Sequence, residues 1–187
     1  MNMDTACDLA PAIKALASGG VIAYPTEAVF GLGCNPADEA ALRRIISIKG
    51  RDAHKGFILI ASRQSQLHEF ITALSAQQQA QLDEHWPGPV TFVVPASQAY
   101  KGSLLCGYRE TLAVRVSKHP TVVELCDQYD GAIVSTSANT SGSPALRSAE
   151  AVQISMGSEI DVIVEAPVGH LDSPTRIFDL QSGERLR

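Results

Sequence analysis

Val21-Ile-Ala-Tyr-Pro-Thr-Glu-Ala-Val-Phe-Gly-Leu-Gly33 decides the architecture of this chain. Its apolar opening, Val21 to Tyr24, reads as a buried strand; Pro25-Thr26-Glu27 leaves the sheet, and Val29 to Gly33 re-enters as extended, glycine-interrupted chain. Two extended segments with no helix between them break strict βαβ alternation, so the expected fold is a mixed, twisted sheet with helices packed on it.

The flanking sequence fits that reading. Upstream, a helix is expected from a Thr5 cap to about Ser18, with Leu9, Ile13 and Leu16 on one face and Gly19-Gly20 as its stop. Downstream, Asp38 should cap a helix that Gly50 ends, followed by a strand at Phe57–Ala61. A polar, Gln-rich helical segment is expected from about Gln64 to Glu84, with Ser75 and Gln78 as a capping box. Trp86-Pro-Gly-Pro89 breaks the chain before strands at Val90–Val94 and Leu112–Val116. His119-Pro120 opens a helix to about Tyr129, ahead of a short strand at Ala132–Ser135. Ser148 caps a further helix ending at Gly157, and Asp161–Val164 and Arg176–Leu180 are the last strands, with a hairpin loop at Gln181–Glu184.

The 187 residues carry 45% hydrophobic and 19% charged side chains, enough for one packed domain, and the whole chain, 1–187, is read as that domain. The longest apolar runs are far short of the roughly 20 residues a bilayer crossing needs. The N-terminus has an acidic residue where a secretory signal has cations, so a cytoplasmic protein is expected. Cys7, Cys34, Cys106 and Cys126 are widely separated and form no metal motif, which predicts free thiols.

A formal charge of -5 argues against a protein that coats nucleic acid. The charge is uneven, however. From Arg43 to Arg63, six cations face Asp52 alone. Arg43 and Arg44 complement the C-terminal end of a helix dipole. Lys49, Arg51 and Lys55 lie beside Gly50 and Gly56 at or past that end, where an anion site is the better reading.

No Walker loop, dinucleotide fingerprint, nucleophile elbow or metal-binding His pair is present. The remaining polar clusters fall at strand ends: Pro25-Thr-Glu27, Lys49-Gly-Arg51, Arg115, Ser135-Thr-Ser-Ala-Asn139 and Ser173-Pro-Thr-Arg176. The run Ser135–Asn139 stands out because hydroxyl and amide side chains directly follow apolar Ala132-Ile-Val134. Such residues either present donors to an anion or base, or close a Ser/Thr turn.

Taken together, five ordered blocks resemble the YrdC/TsaC family, the threonylcarbamoyl-AMP synthases. They are Tyr24-Pro-Thr-Glu-Ala-Val-Phe-Gly-Leu32, Lys49-Gly-Arg51, Trp86-Pro-Gly-Pro-Val-Thr91, Leu112-Ala-Val-Arg-Val116 and Ser135-Thr-Ser-Ala-Asn139, and the resemblance runs from about residue 8 to the C-terminus. It implies an α/β twisted open sheet with a basic concave face. The implied reaction joins L-threonine, bicarbonate and ATP into threonylcarbamoyl-adenylate with release of pyrophosphate and water. The product supplies the group placed on the adenosine 3′ to the anticodon of tRNAs that read codons beginning with A.

The N-carboxylate formed from threonine and bicarbonate and the triphosphate it attacks are both anionic, so positioned cations and donors, rather than a side-chain nucleophile, are what the chemistry needs. The resemblance makes Lys49 and Arg51 the electrostatic core. It assigns Arg51, Lys55, Thr111, Ser137, Asn139 and Arg187 to ATP, and Thr26, Arg115, Ser135, Ser173 and Thr175 to threonine. No protein metal ligand is implied, and Mg²⁺ would be held through the phosphates. Glu27 is a candidate for orienting water or metal, or a cap. Trp86 reads as a packing and turn element, Tyr24 and Phe30 as wall residues, and His54 as a solvated loop residue.

This chain departs from the family pattern. Relatives often carry Thr at Ala28, Tyr at Phe30 and Pro at Asp52, and the frequent hydrophobic-Pro after Arg115 is Val-Ser here. The C-terminal domain of longer relatives is not expected beyond Arg187. Partners implied are the three small molecules, with tRNA contact and downstream threonylcarbamoyl-transferase proteins left open and no membrane. The alternative is a noncatalytic RNA-binding module using the same basic face, which predicts steeply salt-dependent affinity and no ATP-dependent product. A hydrogenase-maturation carbamoyl-adenylate domain is a further rival, for which the chain lacks the accompanying acylphosphatase and zinc-finger segments.

Overall fold

The structure is a computed structural model that describes residues 7–187, so the expected Thr5 cap lies outside the described residues. The first helix, α1 (Ala10–Ala17), carries proline in its first turn, and Asp8 Oδ1 accepts from the Ala10 amide at 3.0 Å. Strands β1 (Ile22–Pro25) and β2 (Phe30–Gly33) are the two extended segments expected on either side of Pro25–Glu27, and they pair antiparallel. Helix α2 (Glu39–Lys49) starts where the Asp38 carboxylate accepts from the Ala41 amide and stops at Gly50, whose φ of 54° is left-handed.

Beyond β3 (Ile58–Ala61) the Gln-rich segment departs from expectation: it is not one helix. A 3₁₀ turn at Gln64–Leu67 and α3 (Ala76–Asp83) are separated by extended chain in which Phe70 and Ile71 are buried. There the Thr72 amide donates to Pro95 O and the Ser97 amide to Phe70 O, so pairing with the segment after β4 (Val90–Pro95) replaces helical bonds. The Ser75–Gln78 capping box forms at the start of α3 alone.

The remaining elements are β5 (Thr111–Val116), α4 (Pro120–Tyr129), β6 (Ile133–Ser137), α5 (Ala149–Met156), β7 (Val162–Ile163) and β8 (Arg176–Asp179). Ser148 caps α5, as its sequence position predicts. Strand β6 runs two residues past its expected end, to Ser137. The eight strands form one mixed sheet in the order β7-β1-β2-β6-β3-β5-β4-β8. Pairs β1/β7, β3/β5 and β4/β8 are parallel, and the others are antiparallel.

Strand periodicity divides the core. Val21 and Ala23 join one apolar cluster, and Ile22 and Tyr24 a second, in which α1 and α4 also pack. On that second face Ile60 lies between Arg115 and Ile133 in register, and Cys126 of α4 sits over Ile60. Val122 and Leu125 are fully buried there, each stabilising the docking of α4 by about 1.5–3 kcal/mol. Two residues along the strands, on the same face, the register brings Ile58 between Ala113 and Ser135. This part of the sheet carries fewer large apolar side chains, and there the face opens into a cavity.

Candidate active site

The cavity holds about 710 Å³. Its floor is a row of cross-strand neighbours, Asp179, Val93, Ala113, Ile58 and Ser135, one each from β8, β4, β5, β3 and β6. Thr111, Ala113 and Arg115 all reach it because alternate residues of a strand share a face. Of the residues singled out from the sequence, Thr26, Lys49, Arg51, Lys55, Thr111, Arg115, Ser135, Ser137, Asn139, Thr175 and Arg187 line it. Ser173 does not: it is exposed, and its neighbours Pro174 and Thr175 take the wall positions.

Lys49 ends α2 and is buried. Its ammonium donates to the carbonyl of Ser137, to the carbonyl of Asn139 at 2.8 Å and to Asn139 Oδ1 at 3.2 Å. Ser137 Oγ also donates to Asn139 Oδ1, at 2.6 Å, so the hydroxyl-rich bend is folded around the lysine. Burial, reinforced by the charges of Arg51 and Lys55, lowers the Lys49 pKa to about 8.

Arg51 lies over the Phe57 ring, 4.9 Å from its centroid, and donates through Nη1 to Thr136 Oγ1 at 2.9 Å and through Nη2 to the Gly56 carbonyl. Burial and the neighbouring Arg109 charge lower its pKa from the usual guanidinium range. The loop that carries it is seated by a close backbone approach: Gly56 and Gly107 both adopt positive φ, and a Cβ on Gly107 would fall 2.5 Å from His54 O. Arg109, on that second loop, donates to Lys55 O at 2.9 Å and adds a cation to the wall. Sequence reasoning missed it because it lies outside the basic island; its position two residues before Thr111 was the available signal.

Across the floor, Arg115 donates through Nη1 to Thr175 Oγ1 at 2.8 Å and pairs through Nη2 with Glu27 Oε2 at 3.2 Å. Glu27 is itself buried and accepts from Ser117 Oγ at 2.6 Å, which places it behind Arg115 as a counter-ion rather than at a helix start. Arg187 closes this side by donating to the Thr175 carbonyl at 3.0 Å. Its pKa is lowered, first by burial and then by the Arg115 charge.

Ala28 and Phe30 also line the cavity and are buried. Trp86 is elsewhere: its indole donates to Val90 O at 2.7 Å and its ring meets Phe92 edge-on. Among the described residues, no group of three or more His, Cys, Asp or Glu converges as a metal cage.

The electrostatics of the two halves differ. Among the described residues none of Lys49, Arg51, Lys55 and Arg109 is ion-paired to a carboxylate, whereas Arg115 is. The first half can hold a polyanion, and Arg115 can receive a ligand carboxylate with its own charge already balanced.

Comparison with known proteins agrees over nearly the whole length. Residues 14–187 match the Sua5/YciO/YrdC family, whose description reads "telomere recombination". A threonylcarbamoyl-AMP synthase of Vibrio vulnificus strain YJ016 is 46% identical over 96% of this chain and 97% of the relative. A threonylcarbamoyl-AMP synthase of Chromohalobacter salexigens is 47% identical over 98% of both. The crystal structure of P. abyssi Sua5 complexed with L-threonine superposes with a TM-score of 0.86 at 30% identity, over 93% of this chain. This chain spans about half, 51%, of that longer protein. E. coli YciO superposes with a TM-score of 0.76 at 27% identity, over 90% of this chain and 81% of its own. The chain belongs to the Sua5/YciO/YrdC family.

Proposed function

We propose that this protein is a threonylcarbamoyl-AMP synthase, joining L-threonine, bicarbonate and ATP into L-threonylcarbamoyladenylate with release of pyrophosphate and water. The observation that carries the reading is one cavity in which a cation cluster that has no carboxylate partner among the described residues, Lys49, Arg51, Lys55 and Arg109, faces the Arg115–Thr175 wall across a sheet floor. Full-length relatives named for the same activity support it.

In this reading threonine amine and bicarbonate give an N-carboxylate whose oxygen attacks the α-phosphorus of ATP as pyrophosphate departs. Three anionic groups must approach, and fixed cations in a partly buried site lower that barrier without reorganising. Arg51 offers its planar guanidinium to phosphate, and Lys55 and Arg109 face the outer phosphates. Lys49 holds the Ser137–Asn139 bend against the nucleotide and adds its own charge. Thr111 and Arg187 complete the nucleotide wall. Threonine lies between Thr26, Ser135, Thr175 and Arg115, whose free N–H groups receive its carboxylate; exposed Ser173 has no part.

The donor set suits Mg²⁺ that arrives on the triphosphate with its waters, because Asp179 is the carboxylate on the cavity lining. Bound that way, the ion supplies charge neutralisation to the leaving pyrophosphate. The adenylate is the donor for the adenosine 3′ to the anticodon in tRNAs reading ANN codons, handed on through tRNA or downstream transferases. The test is to incubate purified protein with ATP, threonine and labelled bicarbonate and to assay pyrophosphate and the labelled adenylate. Both should appear together and require all three substrates; folded protein that yields neither overturns the assignment.

A further inference from the structure

We infer that Glu27 is a positioning residue for the amino-acid subsite, acting through Arg115, whose charge it balances and whose guanidinium it helps to orient. The inference rests on the proposed function and names a division of labour within that site.

Glu27 and Arg115 are 88 residues apart in sequence yet meet at 3.2 Å, with side chains only 8% and 5% exposed. Arg115 lines the cavity and Glu27 does not. An arginine this buried is stabilised by a counter-charge, because desolvating a lone cation is costly. Glu27 supplies one, and its own placement is held through Oε1 and through its backbone. Its Oε1 accepts from Ser117 Oγ at 2.6 Å, and that hydroxyl accepts from the His119 amide at 3.0 Å, which sets the direction of its proton. Its backbone carbonyl accepts from the Leu171 amide at 3.1 Å. In the chain between β7 and β8, Gly169 packs so closely that a Cβ there would lie 2.6 Å from Glu27 O.

The carboxylate also limits what Arg115 can do. With Nη2 3.2 Å from Glu27 Oε2 and Nη1 donating to Thr175 Oγ1, the guanidinium is held from two directions, and its charge is balanced before any ligand arrives. A zwitterionic amino acid suits such a site, because Arg115 directs its carboxylate by geometry while its own charge is already balanced. Among the described residues Lys49, Arg51, Lys55 and Arg109 across the floor have no carboxylate partner, and neither has Arg187 at the Thr175 end, so Arg115 is the lining cation that Glu27 balances.

The experiment compares wild type, Glu27→Gln, Ser117→Ala and Arg115→Lys, with Glu27→Gln also placed in the Arg115→Lys background. Steady-state KM is measured for threonine and ATP separately, beside Tm. Glu27→Gln keeps an acceptor for Ser117 but removes the charge that fixes Arg115, and misplacement on this scale costs on the order of 10²-fold. The threonine KM should rise at least about tenfold while the ATP KM stays within about twofold. Ser117→Ala retains both charges and tests the case in which Glu27→Gln does not fold; it should shift the threonine KM in the same direction by less. In the Arg115→Lys background, Glu27→Gln should add little, since its effect travels through Arg115. Equal rises in both KM values, or an unchanged threonine KM in Ser117→Ala and Glu27→Gln alike, overturn the inference. Wild type without product overturns the function instead, and the two failures are distinct.

Discussion

The ammonium of Lys49 donates to two oxygens of Asn139, the backbone carbonyl at 2.8 Å and Oδ1 at 3.2 Å, tying the end of α2 to the bend after β6. A lysine so engaged is a brace as well as a charge. Replacing it removes both roles at once, because the carbonyls of Ser137 and Asn139 lose the donor around which they converge.

Lys49→Ala should therefore lower kcat/KM for ATP by about 10²–10³, the scale of losing one transition-state donor in a buried site. Steady-state pyrophosphate release measures it. Wild-type-like turnover would show that the phosphates bind elsewhere.

The lowered Lys49 pKa, about 8, gives opposite pH trends for activity and stability. Activity that needs the ammonium should fall as pH rises through about 8. Stability runs the other way: the unfolded lysine keeps its proton to the ordinary value of 10.5, so from about 8 to 10.5 the unfolded chain binds more protons and this group's contribution rises with pH. A kcat/KM profile for ATP beside urea midpoints across the same range separates them.

Arg51→Lys should not rescue Arg51→Ala. The planar group simultaneously lies on Phe57, donates to Thr136 Oγ1 and reaches the Gly56 carbonyl, and an ammonium cannot reproduce that set. Both variants should lose about 10²-fold or more in kcat, read by single-turnover formation of the adenylate.

Gly107→Ala should destabilise the protein by about 1–3 kcal/mol, since it combines a positive φ with backbone contact that a Cβ would violate. Its denaturation midpoint should drop, and ATP affinity with it, because Lys55 and Arg109 are carried on the two loops that meet there.

Trp86→Phe should separate stability from chemistry. The indole hydrogen bond to Val90 O is lost, leaving a carbonyl short of a donor and costing about 1–2 kcal/mol, while turnover stays at wild-type level because Trp86 is not on the cavity wall.

Much of this was legible in the sequence because it is local. The Asp38 and Ser148 caps, the Ser75–Gln78 box and the stop at Gly50 depend on residues three or four apart, and each forms. The helix expected across Gln64–Glu84 fails for a non-local reason: Phe70 and Ile71 are drawn into the core and their backbone pairs with the chain after β4. In the cavity, residue types were readable and partners were not. Nothing near Glu27 in sequence announces Arg115, Ser117 or a close-packed Gly169, and Arg109 gains its place only when two glycine loops touch. Ser173 looks like its neighbour Thr175 on paper, but it sits just before β8, where the chain is still exposed.

The row Asp179, Val93, Ala113, Ile58 and Ser135 gives the cavity the spacing of a pleated lattice, with roughly 4.8 Å between strands and about 6.6 Å between successive side chains on one face. The loops that wall the chamber can breathe; its floor is graduated like a ruler. Exchanging a single side chain at Ala113 would shorten the chamber by a fixed increment at a known coordinate, so the range of accepted amino acids should be adjustable stepwise without rebuilding the scaffold.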